Sequence, residues 1–418
     1  MMEGVILQKI KHLRNLKRIK RMSTIEVFKS GQDTDTDADM QEYKKNLFRH
    51  RLRNACISAG IFVAVVLCCV VFWIVLKNQS FDMYEVIRSY DRTDTITTQY
   101  AEFKDYVLKY SRDGISCVDS ANRSVWSQTY NMQNPILHVC RNSAAVAEES
   151  GTEAMIFDET GLQGTIQTRL PIRQIAVSSQ GVLAVLMEDG DVMRVNLYDK
   201  AGVELVSSKF ELQDVGYPLR ISLSADATKL AVSFLQVRDG SINSCLAFYN
   251  FSSVGEGKED HLVASRSIDG IVMPEVAYMD STHCFALGGG RLLIYEGTQI
   301  PELTAEVELE QEVLSVFHSE RLIGLVLKGE EEDYVLQAYD LQGHMQFKTE
   351  FSLDYQTLKF SGGQILIYNE AECIMMNSNG KIFYSGTFEE PVVNLYNMSG
   401  RRRYIVMHVS GTDQIRLK

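Results

Sequence analysis

The chain has 418 residues, of which 45% are hydrophobic and 23% are charged, and its formal net charge is −12. This length is enough for two or three ordinary domains, or for one large repeat domain with an extension. Residues 77–418 carry 29 basic and 47 acidic side chains, a net charge of −18. Because so acidic a segment repels phosphate backbones, nucleic acid is not expected as a partner.

Residues 55–76 form a stretch of 22 residues without a charged side chain. That length is enough for one helix to cross a bilayer. The alternative is a cleavable signal peptide, but its charged region would span 54 residues and no small-residue cleavage site precedes residues 77–80. The stretch therefore predicts an uncleaved signal-anchor helix.

The flanks of this stretch differ in charge. Residues 1–54 hold 13 Lys and Arg against 7 Asp and Glu, and basic residues crowd positions 44–53. The positive-inside rule then places the N-terminus in the cytoplasm and residues 77–418 outside. The predicted localisation is the cytoplasmic membrane, with one span and an extracellular C-terminal domain.

Residues 1–54 are predicted to be a basic cytoplasmic tail, partly disordered. Residues 3–21 have the pattern of a basic amphipathic helix for a membrane surface or a cytoplasmic partner. The alternatives are a flexible tail that only enforces topology, or translation from Met22. Residues 31–42 form an acidic linker that begins like a calcium loop, but Ala38 and Lys44 stand where that loop needs Gly and Glu, so no calcium is expected.

A repeat runs through the rest of the chain. A short apolar strand ends in an aromatic residue or Met, then Asp or Asn, two further residues and Gly, as at Phe157–Gly161, Tyr198–Gly202, Tyr339–Gly343 and Met376–Gly380. Equivalent strand ends fall at 118, 157, 198, 249, 295, 339, 376 and 417. This spacing predicts an all-β fold, a β-propeller of eight four-stranded blades over residues 97–418, with seven blades as the alternative.

The unit at residues 172–210 shows the predicted strands most clearly, at 172–178, 182–187, 192–198 and 203–210. The last unit, residues 392–418, has room for three strands only. We expect Thr93–Thr98 to supply its fourth strand and close the ring. Residues 77–96 are otherwise predicted to be a polar juxtamembrane stalk, with a short helix around Met83–Ser89. Residues 251–262 are predicted to be a surface insertion.

The segment Asp113–Asp119, followed by Val125-Trp126, resembles the eight-bladed propellers of the pyrroloquinoline-quinone-repeat type, including the outer-membrane assembly-factor lipoproteins. A basic tail, one span and this repeat together resemble an uncharacterised family of single-pass membrane proteins of Gram-positive anaerobic bacteria, with quinoprotein-like or WD40-like ectodomains. Quinoprotein blades usually carry a Trp, whereas residues 77–418 hold only Trp126. No quinone or other cofactor is therefore expected.

No catalytic motif stands out along the chain. GxSxG, HExxH, P-loop and dinucleotide-binding patterns are absent from the sequence, and no two of the eight histidines have metal-ligand spacing. Gly288–Gly290 is predicted to be a β-turn. Asp158, Asp199 and Asp340 recur at equivalent turns, which indicates a structural role. We predict no catalytic, cofactor-binding or metal-binding residues and no enzymatic activity, and the ligand-binding residues stay unknown.

Three further features are interpreted from the sequence. The five cysteines outside the apolar stretch are predicted to be buried free thiols, with a disulfide between blades as the alternative. Residues 328–333 are predicted to be a solvated hairpin tip. Residues Arg401–Arg403 are predicted to lie in an exposed turn, with an anionic glycopolymer or a phospholipid head group as their alternative partner.

The function predicted from these patterns is a membrane-anchored extracytoplasmic interaction scaffold with an envelope protein as partner. Loops on the two faces of such a ring carry binding. The alternative is a receptor-like sensor that signals through the basic tail. An enzyme with a site on the propeller axis is a third hypothesis, which the apolar first strands weaken.

Overall fold

The computed structural model describes residues 36–418 except 92–94, 96, 239 and 331. The predicted amphipathic helix at residues 3–21 lies outside the described residues. The described chain contains a helical unit that ends at Gln79 and a second compact unit, Ser80–Lys418.

Helix α1 spans Thr36–Asn78. Its segment Lys44–Val71 is long and apolar enough to cross a membrane, and the predicted span of residues 55–76 lies within α1. The linker predicted at residues 31–42 is wrong from Thr36 onward, because that part is helical. Residues 36–54 contain neither Gly nor Pro, so nothing in their sequence breaks a helix.

The second unit is built almost entirely of β-strands. The first half of them are β1 (Tyr84–Asp91), β2 (Gln99–Phe103), β3 (Tyr106–Tyr110), β4 (Gly114–Val118), β5 (Ser124–Thr129), β6 (Pro135–Cys140), β7 (Ser143–Glu148), β8 (Glu153–Asp158), β9 (Gly161–Gln167), β10 (Ile172–Val177), β11 (Leu183–Asp189), β12 (Val192–Tyr198), β13 (Glu204–Glu211), β14 (Tyr217–Leu223), β15 (Lys229–Arg238) and β16 (Ser241–Asn250). The others are β17 (Leu262–Asp269), β18 (Glu275–Tyr278), β19 (His283–Gly288), β20 (Arg291–Glu296), β21 (Glu302–Glu308), β22 (Val313–His318), β23 (Ile323–Lys328), β24 (Tyr334–Tyr339), β25 (Met345–Phe351), β26 (Thr357–Ser361), β27 (Gln364–Tyr368), β28 (Glu372–Asn377), β29 (Ile382–Thr387), β30 (Val392–Ser399), β31 (Arg403–His408) and β32 (Gly411–Leu417). A short helix α2 (Leu212–Val215) precedes β14, and a 3-10 turn (Glu259–His261) lies in the predicted insertion before β17.

These strands form eight antiparallel sheets of four strands, which confirms the eight-bladed propeller. Blades 1 to 7 each use four consecutive strands, from β2–β5 to β26–β29, and blade 8 combines β30, β31 and β32 with β1. The third strands end within one residue of the positions expected from the repeat. The period near forty residues therefore corresponds to one blade.

The ring closes with a different segment from the one predicted. Strand β1 pairs with β32, from Tyr84 opposite Leu417 to Asp91 opposite Gly411. The prediction that Thr93–Thr98 closes the ring is wrong, and so is the short helix at Met83–Ser89. Both segments hold residues that favour strands, Tyr, Val and Ile in β1 and four Thr within residues 93–98, so strand propensity does not separate them.

Eight apolar clusters hold the ring together, and each lies between two neighbouring blades. The cluster between blades 8 and 1 is the smallest, with Val107, Val118, Tyr396, Ile405 and Met407 as its buried members. Burial of these facing surfaces is the main favourable contribution to packing of the blades. The seam between the last blade and the first is consequently the least apolar interface of the ring.

The first strand of each blade lies next to the ring axis, where first strands of neighbouring blades contact one another. Side chains join these strands directly. His138 Nδ1 accepts a hydrogen bond from the Val177 N–H at 3.1 Å, and Ser222 Oγ accepts one from the Tyr278 N–H at 2.8 Å. These bonds fix the blade-to-blade spacing around the axis.

The ring has two loop faces. Turns between first and second strands, and between third and fourth strands, lie on one face, named here the A–B face. Turns between second and third strands, and the connections between blades, lie on the opposite B–C face. This assignment follows from the antiparallel order of each sheet.

Candidate functional site

A large cavity lies on the ring axis. It has a volume of about 910 Å³ and is lined mainly by the first strands of blades 2 to 6, which are β6, β10, β14, β18 and β22. That volume would hold a small molecule or a peptide side chain. The axial channel is therefore the first candidate for a binding site.

Ion pairs neutralise much of the charge in the channel wall. Arg220 Nη2 lies 2.9 Å from Glu275 Oε2 and joins blades 4 and 5. Arg173 pairs with Glu188 and also donates to Ser150 Oγ at 3.0 Å. The wall is polar, and its arginines already have carboxylate partners, which reduces the positive charge available to an anionic ligand.

Two histidines face each other across the channel. His138 comes from blade 2 and His318 from blade 6. Burial, together with smaller effects of the nearby His318 and Arg220, lowers the pKa of His138 to about 4. Burial also lowers the pKa of His318. Both imidazoles are consequently neutral at pH 7. Sequence reasoning does not bring them together, because their blades are far apart in the chain.

A separate polar cluster lies on the first strands of blades 7, 8 and 1. Lys359 Nζ donates to Asn394 Oδ1 at 2.7 Å and lies 3.7 Å from the centre of the Tyr396 ring. Burial lowers the pKa of Lys359 to about 8, although Glu102 opposes that shift. Burial raises the pKa of Glu102, and its Oε1 accepts a hydrogen bond from Ser361 Oγ. The Ser361–Glu102 hydrogen bond joins blade 7 to blade 1, so this cluster connects the first and last blades of the ring.

On the B–C face, blade 4 projects beyond its neighbours. Strands β15 and β16 have ten residues each, whereas the second and third strands of the other blades have five to seven. Val237 pairs with Ile242 at the tip, beyond the ends of β14 and β17. Their exposed fractions are 70% and 52%. Exposed apolar side chains that lie next to each other at a projecting tip form a candidate contact surface.

The B–C face carries many exposed carboxylates, most of them on blades 6 to 8. Exposed carboxylates lie in or beside its turns and connections at Asp189, Asp191, Glu310, Glu312, Glu330, Glu332, Asp333, Glu370, Glu372, Glu389 and Glu390. The hairpin predicted at residues 328–333 belongs to this set. A projecting apolar tip above an acidic surface defines the second candidate binding site.

The family model for a group of unknown function matches residues 77–417. The chain belongs to DUF5711. The match covers the entire propeller and begins directly after the apolar stretch. No curated protein matches the DUF5711 chain in sequence.

Solved structures of other proteins share the propeller fold. Sqt1 from Saccharomyces cerevisiae has a TM-score of 0.50 and 12% identity, covering 81% of this chain and 99% of that one. BamB from Moraxella catarrhalis has a TM-score of 0.48 and 13% identity, covering 80% and 100%. AztD from Citrobacter koseri has a TM-score of 0.42 and 9% identity, covering 70% and 87%. At these identities the likeness concerns the fold alone.

The recurring aspartates occupy tight turns. Asp199 Oδ1 accepts hydrogen bonds from the N–H groups of Ala201 and Val203, both at 2.9 Å, and Asp340 does the same in its own turn. Gly288–Gly290 form the turn between β19 and β20, where Gly289 and Gly290 have φ of 53° and 72°. These residues shape turns, in agreement with the sequence interpretation.

The five cysteines of the propeller are free thiols. Cys117, Cys284 and Cys373 are buried, while Cys140 and Cys245 are partly buried. Burial raises the pKa of the Cys117 thiol to about 11. A thiol with a raised pKa is a poor nucleophile at pH 7. Among the described residues, no group of three or more His, Cys, Asp and Glu is arranged to hold a metal ion.

The three consecutive arginines divide into two roles. The Arg401 guanidinium lies 4.4 Å from the centre of the Phe383 ring, and that of Arg402 lies 5.3 Å from the Phe81 ring. These two pack on aromatic faces near the point where the propeller unit begins. Arg403 instead lines a cleft between blades 8 and 1. Of the predicted exposed turn, Arg402 and Arg403 are exposed and Arg401 is half-buried.

Proposed function

We propose that this protein is a membrane-anchored, extracytoplasmic scaffold that binds a protein partner of the cell envelope through its B–C face. Helix α1 anchors the chain in the cytoplasmic membrane, with the N-terminus in the cytoplasm and the propeller outside. The basic flank at residues 44–53 supports this orientation. The proposal includes no catalytic step, no cofactor and no nucleic acid.

The observation that carries the proposal is the projecting tip of blade 4. Val237 and Ile242 lie directly opposite each other in the β15–β16 pair, beyond the ends of the flanking strands. Burial of two such side chains in a partner would contribute about 2 to 4 kcal/mol, since each loses most of its remaining contact with water. A small apolar anchor of this kind is a typical interface centre.

Charge defines the chemistry of the partner. The carboxylates at positions 330, 332 and 333 and at 310 and 312 are exposed on the same face as the tip. A partner that fits would present an apolar pocket with basic residues around it. Complementary charge of this kind would speed association and orient the two proteins more than it would tighten the complex.

The test is co-purification of the tagged full-length protein from its native cells after covalent crosslinking. The variant Val237→Thr/Ile242→Thr keeps β-branched side chains in the strands while making the tip polar. The control variant Val203→Thr/Leu205→Thr changes two residues of similar exposure, 58% and 53%, in blade 3. We expect one envelope protein with the wild-type chain and the control, and about tenfold less with the tip variant.

Equal recovery of that protein with all three chains would remove the tip from the interface. Recovery of no protein at all would contradict the scaffold proposal. Recovery of a cytoplasmic regulator alone would favour the second candidate function, a receptor-like sensor.

The axial channel is the observation that favours the sensor. A cavity of about 910 Å³ is large enough for a small ligand, and its wall contains neutral histidines and paired arginines. In this proposal the tail, residues 1–54, transmits ligand binding to a cytoplasmic partner. Deletion of residues 1–40 would abolish the cellular response but leave ligand binding intact. An unchanged response after that deletion would remove the sensor hypothesis.

A further inference from the structure

A cleft of about 380 Å³ lies between blade 8 and the C–D turn of blade 1. Arg88 of β1, Arg403 of β31 and Arg123 of the blade 1 turn line it. Gln414 and Ser120 also belong to its wall, where Gln414 Nε2 donates to the Ser120 carbonyl. Three guanidinium groups around one cleft are notable in a propeller whose net charge is strongly negative.

Strand pairing brings two arginines side by side at the cleft. Arg403 lies directly opposite Arg416 in the β31–β32 pair. Like charges in directly opposite positions destabilise a sheet. Glu85 lies 3.6 Å from Arg416, but it also pairs with Lys418. One carboxylate therefore serves two cations, and no acidic side chain among the described residues forms an ion pair with Arg403.

Arg88 and Arg123 add to the positive charge at the cleft. Arg88 lies opposite Gln414 in the β1–β32 pair, on an exposed position, and among the described residues it has no acidic partner. Arg123 is held by Asp119, with 2.7 Å between Nη2 and Oδ2, but 79% of its side chain stays exposed. Its remaining donors can still reach a ligand, because a guanidinium has five N–H groups.

We propose that this cleft binds a phosphate group. Guanidinium groups form paired, charge-assisted hydrogen bonds with phosphate oxygens, which match the planar donor geometry of arginine. A bound phosphate would also offset the repulsion between Arg403 and Arg416. The polar amide of Gln414 lies in the same wall, and the apolar side chain of Met398 borders it.

The phosphate could come from an anionic lipid head group or from a soluble phosphate ester. Phe81, near the start of the propeller unit, donates its N–H to the Phe383 carbonyl at 2.7 Å, and Asp82 donates to the Lys418 carbonyl at 3.1 Å. The propeller chain therefore begins on the A–B face, the face on which the cleft turn of blade 1 also lies.

Isothermal titration calorimetry of the full-length protein in a nonionic detergent tests the proposal. The probes are inorganic phosphate, monomeric dihexanoylphosphatidylglycerol and its zwitterionic phosphatidylcholine counterpart. The variants are Arg403→Gln and Arg88→Gln, with Arg321→Gln as a control that removes the same charge from an exposed turn of blade 6 on the same face. Thermal unfolding of each variant verifies that the fold is kept.

We expect saturable binding of phosphate or phosphatidylglycerol, weakened about tenfold by each cleft substitution and unchanged by Arg321→Gln. Tighter binding of phosphatidylglycerol than of inorganic phosphate assigns the site to a lipid head group, and the reverse order assigns it to a soluble phosphate. Binding that is equal in both cleft variants and wild type, or no binding of either anionic probe, overturns the proposal. Equal binding of phosphatidylcholine overturns it as well.

Discussion

Arg141 and Glu320 meet across the axis of the ring, with 2.6 Å between Nε and Oε1. Arg141 follows the first strand of blade 2 and Glu320 follows that of blade 6, four blades away in a ring of eight. The pair therefore crosses the axial channel at its A–B end. A ligand that enters the channel from this face has to pass the ion pair.

Removal of this ion pair is expected to change stability little. The side chains are 40% and 58% exposed, and exposed ion pairs typically contribute less than about 1 kcal/mol because water screens them. A double-mutant cycle with Arg141→Gln and Glu320→Gln, measured by urea unfolding, gives the coupling energy. A coupling above about 2 kcal/mol would show that the pair holds opposite blades together.

Acid is expected to weaken the fold through His138. The pKa of a histidine in an unfolded chain is near 6.5, and that of folded His138 is about 4, so between these values only the unfolded state takes up the proton. The contribution of neutral His138 to the free energy of unfolding is complete above about pH 6.5 and is lost as the pH falls toward 4. Because water in the channel reduces the cost of charging His138, we expect the free energy of unfolding to fall by about 1 to 2 kcal/mol over this range.

The variant His138→Gln checks this expectation. Its amide oxygen can still accept the Val177 N–H, but it does not titrate. Unfolding free energies at pH 7 and pH 4.5 should differ less in the variant than in the wild type. Identical pH dependence in both chains would show that other groups are responsible.

Lys359 is expected to react with amine reagents at an unusually low pH. Burial lowers its pKa to about 8, so much of it is neutral and nucleophilic just above that pH. Competitive acetylation over a range of pH, followed by mass spectrometry, measures its titration. The variant Glu102→Gln should lower the pKa further, because the Glu102 carboxylate favours the charged amine. An unchanged or higher titration midpoint of Lys359 in that variant would contradict an electrostatic interaction between Lys359 and Glu102.

Phe81 is expected to be essential for closing the ring. Its side chain is 5% exposed and packs edge-on against Phe383, with the ring centroids 6.2 Å apart. Phe81→Ala should lower the free energy of unfolding by about 3 kcal/mol or more, through the lost contacts and the cavity left behind. Met83→Ala is the matched control, because Met83 is 61% exposed and should cost less than about 0.5 kcal/mol. Equal losses of unfolding free energy from Phe81→Ala and Met83→Ala would contradict the packing of Phe81 against Phe383.

The sequence predicts those parts of the fold that depend on local contacts. The Asp199 turn can be recognised because its hydrogen bonds join residues two and four positions apart. The closing strand could not be assigned correctly, because Tyr84 pairs with Leu417 near the other end of the chain. Strand propensity alone did not decide between residues 84–91 and residues 93–98.

The candidate sites were less predictable than the blades. Each side chain of the axial channel comes from a different blade, so no short motif brings His138 and His318 together. The sequence does contain a signal for the tip of blade 4, because the interval between the ends of successive third strands is longest from 198 to 249. The longer intervals are explained from the sequence by surface insertions such as residues 251–262, where a 3-10 turn lies, and the longer β15–β16 hairpin is not predicted.

Site-specific photocrosslinking of the full-length protein in its native cells tests the scaffold account most directly. A photoreactive residue replaces Val237 at the tip of blade 4, and a second chain carries it at the exposed Val203 of blade 3. We predict one crosslinked envelope protein from position 237, reduced when Ile242→Thr is added, and none from position 203. The same products from both positions, or no product from position 237, would contradict a partner-binding B–C face.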